Sequence, residues 1–161
     1  MDISIFGEKQ DIYYMNAAFE QAQEGYSKEE VPVGAVVVDP YGAIIAQAYN
    51  QVEQLGIQRA HAEMIALEQA ALKIGNWRLL GCWLYVTLEP CSMCMGCAQL
   101  SRMAGVVYGA PSPLFGYRLD NSDSFQVYKR NALVVIGGVE MQKSEHLLKK
   151  FFHKKRTQKG G

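Results

Sequence analysis

The segment Pro90-Cys91-Ser92-Met93-Cys94-Met95-Gly96-Cys97 sets three cysteines at three-residue intervals, in a chain with a single further cysteine, Cys82. Thiols so spaced fit three chemistries: a redox dithiol, a closed structural zinc knot, or the ligands of a catalytic metal. Upstream stands His61-Ala62-Glu63, which puts an imidazole beside a carboxylate. A redox pair Cys91/Cys94 leaves this tripeptide without a role, and a zinc closed by Cys97 leaves Glu63 idle. Three ligands, His61, Cys91 and Cys94, suit a tetrahedral Zn²⁺ with its fourth corner open for water. Two thiolates make that zinc a weak Lewis acid, so the water needs a base beside it, and Glu63 is of the right type. Cys97, one helical turn past Cys94, reads as a core residue, as does Cys82.

Such a site needs two helix starts at one edge of a sheet, and the chain's patterning supplies them. Ile12, Met15, Phe19 and Ala22 recur at helical spacing between Asp11, read as an N-cap, and Gly25, read as a stop. Two β-branched runs, Ala35 to Asp39 and Ala43 to Tyr49, flank Pro40-Tyr41-Gly42 and predict a hairpin. A helix from about Ala60 to Ile74, a strand from Trp83 to Thr87 and a helix from the cysteines to Met103 follow. Strands over Gly105 to Gly109 and Ala132 to Ile136 precede a last helix from Ser144 to Arg156. The alternation predicts a three-layer α/β/α sandwich around a mixed sheet of about five strands. Helix starts that follow strands at one sheet edge bring His61 and Cys91/Cys94 together. Met64, Met93, Met95 and Met103 read as core filling, and His146 and His153 as surface residues.

With 161 residues, 49% of them apolar, the expectation is a single domain over residues 1–161. No run approaches the ~18 apolar residues of a membrane span, and the N-terminus lacks the marks of a secretory leader, so the expectation is a cytoplasmic protein with no membrane partner. The formal net charge is zero, with 16 Lys/Arg against 16 Asp/Glu, but the charges are unevenly placed. Seven cations (Lys143, Lys149, Lys150, Lys154, Lys155, Arg156, Lys159) fall in the last 21 residues, opposed by Glu145 alone. A basic C-terminal helix reads either as a solvated end that suits the helix dipole or as a phosphate-contacting arm anchored by Phe151 and Phe152.

His61-Ala62-Glu63 followed by Pro90-Cys91-Ser92-Met93-Cys94 is the H-x-E…P-C-x-x-C pattern of zinc-dependent nucleobase deaminases. With "EEVPVGAVVV", "AYN", "AHAEMIAL", "LYVTLEPCSMC", "GVVYGA" and "FFHKKR", the chain resembles the bacterial tRNA-specific adenosine deaminases over roughly Tyr13 to Arg156. The resemblance implies a cytidine deaminase-like fold, a homodimer, one Zn²⁺ per chain on His61, Cys91 and Cys94, and Glu63 as catalytic proton shuttle. It implies hydrolytic deamination of adenosine to inosine at the wobble position of a tRNA anticodon, by zinc-activated water, with the anticodon loop and not DNA as partner. By the same resemblance Asn50, Val33, Ala62 and Leu88 bind the target nucleoside. Two segments depart from the family: Ile57-Gln58-Arg59 replaces Asp-Pro-Thr, and Pro111 to Tyr117 replaces a D-x-K-x-G-A run. The alternative in the same superfamily is a guanine deaminase or a deaminase of free cytosine or nucleosides.

Overall fold

In Gly34-Ala35-Val36-Val37-Val38 every residue is buried, because the strand it forms is central and covered on both faces. Ala35 and Val37 point into one apolar cluster, Val36 and Val38 into another, the two-residue period of a strand. A computed structural model describes residues 2–119 and 133–160. In chain order the elements are α1 (Glu8–Ser27), β1 (Gly34–Val38), β2 (Ile44–Tyr49), α2 (Val52–Leu55), α3 (Ala62–Ile74), β3 (Trp83–Leu88), α4 (Ser92–Leu100), β4 (Gly105–Ala110), a 3₁₀ turn (Tyr117–Leu119), β5 (Val134–Gly137) and α5 (Met141–Lys159).

The sheet order is β2-β1-β3-β4-β5. β1 runs antiparallel to both of its neighbours, while β3, β4 and β5 are parallel. β2 and β3 therefore point the same way, and the helices after them, α3 and α4, start at the same edge. Ala62, Ala66 and Ala70 of α3 and Met95 and Ala98 of α4 pack on one face with Ala35, Val37, Leu84 and Val106. Tyr14, Met15 and Ala18 of α1 pack on the other with Val36, Tyr85 and Val107. α5 shares that second face, its Phe151 ring edge-on to Tyr26 of α1 at 5.9 Å. This is the expected three-layer sandwich around five mixed strands. α1 lies so close to β1 that a Cβ on Gly34 would collide with the Ala18 carbonyl oxygen, so this position admits only glycine.

Several boundaries differ from expectation. Asp11 is not the cap of α1, which begins one turn earlier behind Gly7. It is buried and takes hydrogen bonds from the Ser4 backbone N–H (2.9 Å), the Ser4 hydroxyl and the Tyr85 hydroxyl (2.6 Å), tying the N-terminal segment and α1 to β3. α4 stops at Leu100 because Arg102 takes a left-handed conformation (φ 63°), after which Met103 turns into the core. α5 extends past its expected ends at both termini, and the short α2 has too few residues to show periodicity. The expected start of the last strand, Ala132, lies outside the described residues.

Candidate metal centre and active site

His61 is the residue before α3 and Cys91 the residue before α4, each in extended conformation as an N-cap. The two helix starts meet. His61 Nδ1 lies 3.6 Å from Cys91 Sγ and 3.5 Å from Cys94 Sγ, and the three donor atoms fall within 4.8 Å of one another. A tetrahedral zinc with Zn–N ~2.0 Å and Zn–S ~2.3 Å needs N···S separations of about 3.6 Å, so the donor set fits zinc in type and spacing. Among the described residues this is the group of His, Cys, Asp and Glu side chains placed to hold a metal ion. Cys97 stands outside it, half-buried against the core, its sulfur 4.0 Å from Ser101 Oγ.

Charge at the site follows from burial and contact. Cys94 hydrogen-bonds to Cys91 and, with the His61 imidazole, brings the Cys91 thiol down to about 4 against the opposing effect of burial. Cys94 is driven far up by that same hydrogen bond, by burial and by the negative charge of Glu63. The contact with Cys91 raises His61. Two adjacent thiols thus hold one charge readily and resist a second, which a divalent cation would stabilise. Glu63 sits in the first turn of α3, 4% exposed, and burial pushes its carboxyl up to about 7. A carboxyl poised there both takes and gives protons at neutral pH.

The model of the cytidine and deoxycytidylate deaminase zinc-binding region matches residues 8–110 of this chain. The chain belongs to that deaminase family. It is 42% identical to the tRNA-specific adenosine deaminase of Bacillus subtilis (strain 168) over 153 residues, 93% of each chain. A structure solved in studies of A-to-I editing by tRNA:A34 deaminases at the wobble position is similar with a TM-score of 0.76 and 33% identity, over 84% of this chain and 99% of that one. The guanine deaminase of Bacillus subtilis is similar with a TM-score of 0.59 and 35% identity, over 73% of each chain.

In this deaminase His61, Cys91 and Cys94 are positioned to coordinate one zinc ion. The residues expected against the nucleoside lie at the same sheet edge. Asn50, buried, follows β2 and donates its backbone N–H to the Val33 carbonyl at 3.0 Å, just before β1. Ala62 is fully buried between His61 and Glu63, and half-buried Leu88 ends β3. Continuing the β1–β3 register by two residues from the Ala35–Val86 pair sets Val33 opposite Leu88.

Three polar side chains here escape sequence reasoning. The Gln58 amide, in the first departing segment, lies 3.5 Å from His61 Nε2, on the ring edge away from the thiols. Such partners fix the orientation of a ligating imidazole. Glu89 is buried two residues before Cys91 and takes hydrogen bonds from Ser112 N–H, Arg118 N–H (both 3.2 Å) and the Arg118 guanidinium (3.0 Å). The second departing segment, Pro111 to Tyr117, is therefore folded around Glu89, so tightly that a Cβ on Gly116 would collide with the carboxylate. Tyr117 N–H also donates to the Pro90 carbonyl at 2.9 Å. Glu30 is fully buried whereas adjacent Glu29 is exposed, a difference that two consecutive glutamates do not reveal in sequence.

Proposed function

We propose that this chain is a zinc-dependent deaminase that converts adenosine to inosine at the wobble position of a tRNA anticodon, acting as one domain in the cytoplasm. The observation that carries the chemistry is the His61–Cys91–Cys94 group, its donor atoms within 4.8 Å of one another, with the carboxyl of Glu63 buried two residues from His61. The similarity to tRNA-specific adenosine deaminases over almost the whole chain supports the substrate. Zinc held by His61, Cys91 and Cys94 would supply a Lewis acid able to acidify a bound water. Glu63 takes one proton as water adds to C6 of adenine and passes it to N1, then carries the proton of the new C6 hydroxyl to the amine, so that the C6–N bond breaks, the C6 carbonyl forms and ammonia leaves. Asn50, Val33, Ala62 and Leu88 line the space for the nucleoside. An anticodon loop presents its bases already unpaired, which makes extrusion of the target base less costly than from a duplex.

A homodimer is part of the proposal. Trp77, Met93 and Leu100 are exposed around a depression of about 580 Å³ that Cys97 also lines. Met93, expected in the core, belongs to this surface because it sits on the outer side of the short α4. A contiguous apolar face of this kind fits a second copy.

Guanine deamination is the second reading, favoured by the 35% identity to the Bacillus subtilis guanine deaminase. Incubation of the zinc-loaded protein with tRNA, an anticodon stem-loop, guanine, cytosine and cytidine, with ammonia and inosine measured, separates the two. Inosine in the RNA is expected. Ammonia from guanine alone overturns the tRNA assignment.

A further inference from the structure

Glu30 is the fully buried carboxylate at this edge of the sheet that the proposed chemistry does not use. It reaches the interior because Glu29 adopts a left-handed conformation (φ 64°) after α1, turning one glutamate outward and the next inward. Its contacts are all N–H groups: the backbone of Gln54 at 2.5 Å, the backbone of Glu53 at 3.2 Å and the side-chain Nδ2 of Asn50 at 3.4 Å. The same stretch is tied to the approach of α3, Gln51 N–H donating to the Ala60 carbonyl at 2.9 Å, immediately before His61. With the Glu53 and Gln54 N–H groups donating to the same two oxygens, the Asn50 amide presents its nitrogen to Glu30. The alternative amide orientation would set two acceptors against each other in a buried site.

We propose that Glu30 is a positioning residue for the deamination, fixing the orientation of the Asn50 side chain. With one Nδ2 hydrogen taken by Glu30, Asn50 keeps one acceptor, Oδ1, and one donor in a set orientation for the nucleoside. The proposal rests on the reading that Asn50 contacts the nucleoside. It makes the two residues one functional unit, and units give non-additive mutational effects.

The test is a double-mutant cycle on the zinc-loaded full chain with an anticodon stem-loop, using Glu30→Gln, Asn50→Ala and the double variant. Glu30→Gln keeps one oxygen for the Gln54 N–H and places an amide nitrogen at the position of Oε2, to which both the Asn50 amide and the Glu53 N–H donate. Each single change is expected to lower kcat/KM by about 10- to 100-fold with zinc content unchanged. The double variant is expected to be no worse than Asn50→Ala alone. Losses that multiply overturn the positioning role while leaving the Asn50 contact standing. An Asn50→Ala enzyme with unaltered kcat/KM overturns the Asn50 reading itself. Should Glu30→Gln fail to fold, side-chain amide exchange in the unmodified protein decides: one Asn50 Nδ2 hydrogen is expected to be protected, and two that exchange at the solvent rate overturn the proposal.

Discussion

Glu63 lies two residues from one expected zinc ligand and in contact with another, Cys94, yet it is absent from the group of side chains placed to hold the metal. In the proposed reaction, ligation and proton transfer thus fall to different residues. Glu63→Ala is expected to retain one zinc per chain and to bind RNA normally while turnover falls by about 10³-fold or more, since one carboxylate serves several proton transfers. Metal analysis beside single-turnover deamination checks this, and a tenth of normal kcat would exclude the role. Cys97→Ala is expected to keep both zinc and activity, whereas Cys94→Ala loses the metal. These residues were legible in the sequence because the chemistry demands particular types at particular spacings. Glu30, Gln58 and Glu89 were not, because what distinguishes a buried acceptor from a solvated side chain is which backbone N–H groups the tertiary fold brings to it.

At the scale of elements, helix starts were legible where they carry the ligands, and helix ends were less so. α4 ends on the backbone conformation of Arg102, which no periodicity announces. The relation between α1 and α5 was also hidden. Phe151 is buried as expected, but Phe152 stays 45% exposed, and Lys154 and Lys155 do not simply project into solvent. Both pair with Glu29 just past α1, at 2.8 and 2.5 Å. The Lys154 contact foremost, with that of Lys155, lowers the Glu29 carboxyl to about 2 from an ordinary value near 4.5. A depressed carboxylate adds stability that is complete above its unfolded value and is lost as pH falls towards its folded one. Hydrogen exchange of the α5 amides is therefore expected to speed up as pH drops from about 4.5 towards 2, after correction for intrinsic rates. Glu29→Gln should remove that part of the pH dependence. The effect is small because the pair is solvent-exposed, and it should shrink further in high salt. An unchanged pH dependence in the variant would show that the clamp does not hold α5.

For the whole molecule the decisive feature is the separation of charge. Residues 1–140 carry nine cations against fifteen acids, and 141–161 carry seven against one, so the body has a net negative charge and the α5 region a net positive one that favours the approach of a polyanion there. Glu29 offsets part of this. With Lys154 and Lys155 already paired, the exposed Arg156 and Lys159 at the far end of α5 are the cations best placed to meet phosphate, which shifts the expected contact towards the C-terminus. Replacing Arg156 and Lys159 by Ala should weaken tRNA binding and reduce the slope of log Kd against log salt by somewhat under ~1 for each phosphate no longer neutralised. Because these residues lie on the face of the sheet opposite α3 and α4, zinc content and single-turnover kcat should stay level while KM rises. The paired variant Lys154→Ala/Lys155→Ala should move the slope less, since Glu29 must release these lysines before phosphate can take them. Salt titrations of both variants rank the contributions. Equal and unaltered slopes would make α5 a solvated helix end and place tRNA affinity elsewhere on the protein.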